Sequence, residues 1–326
     1  MKHEGGWRRA MRGMAGAVSL LAGLHAWGAG PSVHEHHGMA DASAVASLGE
    51  PWFAVASDES NVLRIYRSDR DGEAAGLLDL SPHAGVVGKS GEIDIEGAAR
   101  VGDRVYWVGS HGRNKEGKAR PNRERLLATR VVGEGEGVRL EPVGVPCRRL
   151  LTDILADPRY AGLGLAQAAG KAPEKGGINI EGLAAGPEGT LRVGFRSPLV
   201  DGKALVATLL NPVEAIEGQA IRLGDPTLLD LGGRGIRDMT WTGEEWFVIG
   251  GGVQGAGKPR LFRWKAGDAT PEAVKDTGFK HFHPEALAWR EPRPTGRGEL
   301  LVLSDDGGQK GAVAAARFRS FVVRLP

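Results

Sequence analysis

An internal repeat in five copies constrains the fold of this 326-residue chain more than any other feature. The copies open with "DASAVA" at Asp41, "DIEGAA" at Asp94, "NIEGLA" at Asn179, "IRDMTW" at Ile236 and "HPEALA" at His283. The third position is an acid in four copies and a serine in the first: Ser43, Glu96, Glu181, Asp238 and Glu285. Each opening is followed by a turn, an apolar run, a polar loop and a second apolar run. Each copy is therefore predicted to contain several short antiparallel strands.

Repeats of this kind are typical of a β-propeller, in which each copy forms one blade. The sequence predicts an all-β chain with five blades. Six blades remain open if the long interval between the second and third copies contains further strands. Within that interval, "CRRLLTDILADPRY" predicts a short helix near residues 148–160. The last copy has room for only three strands, so "PSVHEHHGM", which precedes the first copy, is expected to supply the fourth and close the ring.

Small residues follow the repeated acid, as in Gly97, Gly182 and Ala286. The innermost strand of a blade lies near the central axis, where large side chains would overpack. A turn followed by a bulge glycine is the alternative explanation, but it accounts for one copy rather than for five.

The first 28 residues differ from the rest and predict a secretory signal peptide. Four basic residues, Lys2, Arg8, Arg9 and Arg12, precede the apolar run 14–27, and small residues follow it. A retained membrane anchor is the alternative, although the run is shorter than the ~20 residues that a helical span needs. We therefore expect a periplasmic or secreted protein with a single propeller domain over residues 29–326.

Composition excludes several classes of protein. A net charge of +2 argues against a general nucleic-acid binder. The single cysteine, Cys147, cannot form an internal disulfide and is interpreted as an apolar filler. The sequence has no G-x-S-x-G motif, which disfavours a standard serine esterase.

The repeated acid opens the first strand of each copy, and a polar residue about 15 positions later closes the second strand. Neighbouring antiparallel strands place these two positions at the same end of the sheet. One mouth of the central channel is therefore expected to gather carboxylates that can bind Ca²⁺ or Mg²⁺, with no other cofactor expected. The predicted metal ligands are Glu96, Glu181, Asp238, Glu285 and Asp305. The candidate catalytic residues are His111 and Arg196, and the candidate ligand-binding residues are Asp58, Arg113, Arg123, Arg237 and His283.

The stretch "SHGRNKEGKARPNRERLL" is the most basic part of the chain after the signal peptide and is expected to overhang the same mouth. Arginine binds phosphate or carboxylate groups with paired donors, so Arg113 and Arg123 are the preferred anion ligands. A solvated loop is the alternative, and it is favoured for Lys115 and Lys118. For the carboxylates, the alternative to a metal site is a ring of ion pairs that holds the blades in register.

Four segments carry a resemblance to a known family: "EIDIEGAARVGDRVYWVGSHG", "GGINIEGLAAGPEGTLRVGFRSPL", "LDLGGRGIRD" and "HPEALAW…LLVLSDDG". They resemble the domain-of-unknown-function family 3616 from about Met39 to the C-terminus, and that family has no assigned activity. The "D-I-E-G-L-A" openings are also similar, over a short pattern only, to those of esterase-like phytase propellers.

Two functions follow as expectations. The first is an exported binding or scaffolding module that takes a small anionic ligand or an envelope protein at its acidic mouth. The alternative is a metal-dependent hydrolase of phosphate esters or similar anionic esters, with water as the nucleophile.

Overall fold

The computed structural model of the chain describes residues 32–86, 91–253, 257–291, 298–305 and 316–325. The predicted signal peptide, residues 1–28, lies outside this part of the chain. The described strands form five four-stranded sheets, so the predicted all-β fold with five blades is confirmed.

Four of the sheets are each built from four strands that follow one another in the chain and pair antiparallel. The first described strand, β1 (Val33–His37), precedes these four sheets in the chain. Blade one contains β2 (Ala42–Gly49), β3 (Trp52–Ser57), β4 (Ser60–Arg67) and β5 (Gly76–Asp79). Blade two contains β6 (Ile95–Val101), β7 (Arg104–Gly109), β8 (Leu126–Val132) and β9 (Arg139–Cys147). Blade three contains β10 (Asn179–Ala185), β11 (Leu191–Ser197), β12 (Ala204–Leu209) and β13 (Thr227–Leu229). Blade four contains β14 (Gly235–Trp241), β15 (Trp246–Gly251), β16 (Arg260–Trp264) and β17 (Glu272–Ala273).

Blade five is completed by the N-terminal strand, as the sequence predicted. Its strands are β18 (Pro284–Arg290), β19 (Glu299–Ser304) and β20 (Arg317–Arg324), and β1 pairs antiparallel with β20 as the outermost strand. His36 of β1 is 1% exposed, stacks on Phe318 at 4.9 Å between ring centroids, and forms a hydrogen bond with the Ser320 hydroxyl. The first and last of the described strands are thereby joined in one sheet.

The first strands of the five blades (β2, β6, β10, β14 and β18) contact one another in ring order. This close approach explains the small residues in the repeat. A Cβ atom on Gly97 would lie 2.8 Å from the backbone oxygen of Glu181, and one on Gly182 would lie 2.6 Å from a methyl group of Ile236. The hydrophobic core fills the spaces between successive blades. One cluster, for example, joins Leu63 of blade one to Trp107 of blade two.

The helices are short and lie in the connections. They are α1 (Ser81–Ala84), α2 (Leu150–Ala156), α3 (Leu165–Ala168) and α4 (Pro212–Ile216). The first helix of the long insert, α2, confirms the helix predicted near residues 148–160, and it buries Leu150 and Ile154. The segment after it contains a second short helix, α3, which buries Leu165 and Ala168. Within the described residues, none of the helices combines the length and apolar character that a bilayer crossing requires.

Acid is expected to weaken the closure of the ring through His36. Burial lowers the pKa of this histidine to about 4. In the unfolded chain a histidine takes up a proton below about pH 6.5. The stability that His36 contributes is therefore complete above pH 6.5, and up to about 3 kcal/mol is lost as the pH falls toward 4.

The variant His36→Phe keeps an aromatic ring in the cluster but cannot be protonated, so it is expected to lose less stability between pH 7.5 and 5 than the wild type. Urea unfolding at the two pH values measures this difference. His37→Asn, on the neighbouring residue, is the matched control. Equal losses in His36→Phe and the wild type would show that His36 does not titrate in this range.

Candidate functional site

Each inner strand carries a β-bulge near its first residue. In blade two, Ile95 pairs with Gly109 and Gly97 pairs with Val108, which leaves Glu96 between them without a partner residue. The bulged residues of the five blades are Ser43, Glu96, Glu181, Arg237 and Glu285. Bulges often occur beside functional sites because they re-aim a side chain. We call the end of the ring where these five residues lie the acidic mouth.

The fourth copy corrects the sequence alignment by one residue. The bulge in blade four falls at Arg237, because Ile236 pairs with Gly250 and Asp238 pairs with Ile249. Arg237 is therefore the counterpart of Glu96 and Glu181, and Asp238 is the counterpart of Gly97. The sequence prediction aligned Asp238 with Glu96 and Glu181 because all three are acids. The observed register does not place Asp238 at their position in the mouth.

Asp238 instead connects neighbouring blades. Its side chain is fully buried, and its two oxygens accept hydrogen bonds from the backbone amides of Met239 at 2.8 Å and Leu287 at 2.7 Å. The amide of Leu183 is a third donor. Burial raises the pKa of Asp238, and the three amides oppose that rise. The carboxylate thus links the inner strands of blades three, four and five.

His111 is also one residue away from its predicted position. The first hairpin of blade two brings Ile95 opposite Gly109, whereas blade three brings Ile180 opposite Phe195. Ser110 rather than His111 is therefore the counterpart of Arg196. The side chain of His111 is buried, its Nδ1 lies 2.8 Å from the Gly109 oxygen, and burial lowers its pKa to about 4.

Three carboxylates meet at the acidic mouth between blades one and two. One oxygen from each of Asp58, Asp94 and Glu96 lies within 4.8 Å of the other two. We call these residues the carboxylate triad. Burial and the neighbouring Asp94 raise the pKa of Asp58 to about 7. Burial and the charge of Glu181 also raise the pKa of Glu96. Oδ1 of Asp58 is buried and has no hydrogen-bond partner among the described residues.

Asp94 was not predicted as a site residue. It has a φ of 57°, which is uncommon for a residue with a side chain. The hydroxyl of Ser110 donates to its carboxylate, and Arg123 lies 2.9 Å from the same oxygen. These contacts fix the carboxylate beside Glu96. The sequence did contain a signal, because the first position of the repeat is polar in four copies: Asp41, Asp94, Asn179 and His283.

The acids of the other blades are neutralised by arginine. Glu181 lies 2.6 Å from Arg196 and also accepts a hydrogen bond from Asn179, while Glu285 pairs with Arg237. The predicted ring of ion pairs therefore describes blades three to five. Carboxylates are in excess at blades one and two, where Arg123 is the one arginine paired with the triad among the described residues.

The candidates Asp305 and His283 lie at the edge of this arrangement. Asp305 directly follows β19, is half-buried, and adds to the negative charge that raises the pKa of Asp58. His283 precedes β18 and is exposed, and its backbone oxygen accepts a hydrogen bond from the amide of Asp305. Neither residue lines the cavity described next.

A cavity of about 630 Å³ opens beside the triad. This volume is in the range of small-molecule sites. Its wall combines triad residues Asp94 and Glu96 with Arg196, the insert residue Glu174, and the basic loop, residues 110–125. Acidic and basic side chains thus line the same open cavity.

The basic loop uses its predicted anion ligands for its own structure. Arg113 donates to the backbone oxygens of Ala169 at 2.7 Å and Gly117 at 2.9 Å. Arg123 pairs with Asp94 and Glu92. Both arginines line the cavity, but their guanidinium groups are engaged by the protein.

The opposite end of the ring has a cavity of about 690 Å³. Most of its wall is made of alanine, glycine and hydroxyl side chains from the last residues of the inner strands, with Trp241 and Trp289 at one side. Trp241 packs against Trp246, with 4.1 Å between ring centroids. Among the described residues of this wall, the charged ones are Glu50, which pairs with Arg290, together with Arg100 and Glu291. Within the described part of the chain, clustered carboxylates line the cavity at the acidic mouth.

Solved structures similar to this chain are distant in sequence. Glutaminyl cyclase from Myxococcus xanthus is 12% identical, with a TM-score of 0.47 and coverage of 91% of this chain and 98% of that one. The major allergen of Malassezia sympodialis is 10% identical, with a TM-score of 0.48 and coverage of 86% and 92%. A putative oxidoreductase (glucose dehydrogenase) from Thermus thermophilus is 16% identical, with a TM-score of 0.42 and coverage of 90% and 100%.

No curated protein matches the chain. A family profile does match, over residues 41–132 and 146–310, which include the repeat openings and most of the five blades. This protein therefore belongs to the family described as "Protein of unknown function (DUF3616)".

Proposed function

We propose that this protein is an exported binding module whose acidic mouth holds a divalent cation, Ca²⁺ or Mg²⁺, and through it a small anionic ligand. The observation that supports this most strongly is the carboxylate triad. Three carboxylates that repel one another and have raised pKa values are costly unless a cation or protons compensate them. The partnerless, buried oxygen of Asp58 is an oxygen ligand of the kind that Ca²⁺ and Mg²⁺ prefer.

The triad leaves room for a ligand on the cation. Ca²⁺ takes 6–8 oxygen ligands and Mg²⁺ takes six, so three carboxylates leave several positions for water or for ligand oxygens. Two triad residues, Asp94 and Glu96, also line the 630 Å³ cavity. A cation at the triad would present its open positions to that cavity. With a small number of carboxylates, we expect a modest affinity, with Kd roughly 10⁻⁴–10⁻³ M.

Calorimetric titration of EDTA-treated protein with Ca²⁺ and then Mg²⁺ tests the proposal. We expect one site per chain in the wild type and a loss of affinity of at least about tenfold in Glu96→Gln, because a ligand oxygen and its charge are removed. Asp103→Asn, in the exposed turn between β6 and β7, is the matched control and should bind as the wild type does. Unchanged affinity in both Glu96→Gln and Asp58→Asn would exclude the triad as the cation site.

A stability measurement separates the cation site from simple charge repulsion. The folded state holds a proton on Asp58 up to about pH 7, whereas the unfolded chain releases it near pH 4. Without cation, the wild type therefore loses stability as the pH rises from about 4 to 7. Asp58→Asn should be more stable than the wild type at pH 8 in EDTA, because it removes the carboxylate that repels Asp94 and Glu96. We expect a gain of about 1–2 kcal/mol, reduced from the full effect of the pKa shift because solvent screens the partly exposed Asp58. The variant should nevertheless gain less thermal stability when Ca²⁺ is added. If Ca²⁺ raised the thermal stability of Asp58→Asn as much as that of the wild type, the proposal would be contradicted.

The alternative function is metal-dependent hydrolysis of phosphate esters or similar anionic esters. The observation that favours it is the presence of arginine side chains in the same cavity as the triad. A bound cation could polarise an ester oxygen and activate a water molecule. A screen with chromogenic phosphate and carboxylate esters in Ca²⁺, Mg²⁺, Mn²⁺ or EDTA tests this function. If Glu96→Gln hydrolysed the same ester as fast as the wild type, the triad would be excluded from the reaction.

A further inference from the structure

The arginines of the basic loop differ in what their guanidinium groups bind. Arg113 is held by backbone oxygens and Arg123 by carboxylates, as described above. Arg125 is 4% exposed and donates to the backbone oxygens of Pro121 at 2.5 Å and Glu124 at 3.0 Å. Arg120 lines the cavity beside the triad, and its side chain makes no hydrogen bond or ion pair with any residue that the structure describes. Its Nε atom is buried and has no partner there, which is also true of Nε of Arg123, but the terminal nitrogens of Arg123 are bound by carboxylates.

A guanidinium group with a buried, unsatisfied N–H is unusual, because removing such a donor from water costs free energy that a hydrogen bond normally offsets. Bound ligands commonly supply the missing acceptor at such positions. Arginine is suited to oxyanions because its planar group donates two parallel hydrogen bonds.

We propose that Arg120 binds an oxyanion group of the ligand, a phosphate group by its charge, while the cation at the triad binds the same ligand from the other side. This inference rests on the proposed function, and it specifies a phosphate group and assigns the anchoring role to Arg120 rather than to Arg113 or Arg123.

The position of Arg120 is fixed by the residues that organise the triad. Arg120 directly precedes a 3₁₀ turn, Pro121–Arg123, and its backbone oxygen accepts a hydrogen bond from the amide of Arg123 at 2.9 Å. The side chain of Arg123 in turn pairs with the triad residue Asp94. A short chain of contacts therefore connects the cation site to the proposed anion site.

The charges favour a dianion. In the cation-loaded state, the cation and Arg123 together balance the three triad carboxylates, and Arg123 also pairs with Glu92. The half-buried Arg113 and Arg120 line the cavity and have no carboxylate partner among the described residues. A phosphate dianion would balance both. Lys115, Glu116 and Glu174 share this wall but are exposed, so solvent and salt screen their charges.

Calorimetric titration of inorganic phosphate into Mg²⁺-saturated protein tests the proposal. We expect binding in the millimolar range or tighter, a loss of at least about tenfold in Arg120→Gln, and a smaller loss in Arg120→Lys, which keeps the charge but not the paired donors. Arg130→Gln, which removes an exposed arginine on β8, is the matched control and should bind phosphate as the wild type does. Mg²⁺ binding measured alone should not weaken in Arg120→Gln, because the variant removes a positive charge and no cation ligand. Acetate should bind more weakly than phosphate, because it carries a single charge.

The outcomes separate the two proposals. Mg²⁺ binding with no phosphate binding, or with equal phosphate binding in the wild type and Arg120→Gln, would overturn the role of Arg120 and leave the cation site intact. Phosphate binding that depends on Arg120 but needs no cation would instead overturn the proposal that the cation holds the ligand. Acetate binding equal to phosphate binding would overturn the choice of a phosphate ligand.

Discussion

Replacing Asp238 with alanine is expected to lower the free energy of unfolding by about 3–5 kcal/mol. The carboxylate is fully buried and accepts hydrogen bonds from backbone amides in three blades, including Met239 and Leu287. Removing it leaves those amides buried without acceptors and opens a cavity between the inner strands, and each unsatisfied amide costs about 1–3 kcal/mol. Thermal or urea unfolding of the variant measures the loss.

The variant Asp238→Asn separates a structural role from metal binding. One amide oxygen can still accept hydrogen bonds, so we expect a loss of about half that of Asp238→Ala. Cation affinity should be that of the wild type, because Asp238 faces the blade interfaces rather than the acidic mouth. Near-wild-type stability with loss of Ca²⁺ binding would restore Asp238 as a metal ligand and contradict the structural assignment.

Removing β1 is expected to have the largest effect on folding. A chain shortened to begin at Met39 lacks the outermost strand of blade five and exposes the edge of β20. The truncation also removes His36, whose ring packs against Phe53, Tyr66 and Phe318. Native stability is about 5–15 kcal/mol in total. We expect the shortened chain to lose a large part of its free energy of unfolding. The loss would be measured as a lower unfolding temperature or as a loss of near-ultraviolet circular dichroism.

A peptide of residues 32–38 added in trans distinguishes the loss of this strand from general misfolding. Strand addition to the open edge of β20 should restore dichroism in proportion to the bound peptide. A peptide in which aspartate replaces His36 should not restore it, because the buried position cannot accept a charge without a partner. A shortened chain as stable as the full one would contradict closure of the ring by β1.

The features that the sequence predicted correctly are local ones. The number of blades, the positions of the apolar strands and helix α2 follow from patterns within a few tens of residues. Closure by β1 followed from counting, since the last copy contained too few strands for a blade. For the blades and for α2, the residues that carry the pattern are those that form the element.

The site was harder to predict because side-chain positions depend on register. Asp238 and His111 were each one residue out, since the bulge at Arg237 and the first hairpin of blade two shift the pairing. A shift of one residue moves a side chain to the other face of a strand. The similarity of one acid to another in the repeat hid this shift.

Contacts between blades could not be predicted from the repeat. Glu285 and Arg237 lie on different blades and form an ion pair. The carboxylate of Glu285, a predicted metal ligand, is therefore neutralised by an arginine. Asp94 reaches the triad through a left-handed backbone conformation and contacts with Ser110 and Arg123. Such arrangements arise from tertiary packing rather than from spacing along the chain.

The most direct measurement is a crystal structure of the wild-type protein grown with saturating Ca²⁺. The cation-binding account predicts density for one ion between Asp58, Asp94 and Glu96, with carboxylate oxygens at about 2.3–2.6 Å. It would be contradicted by crystals in which these three carboxylates keep their positions and no ion lies between them.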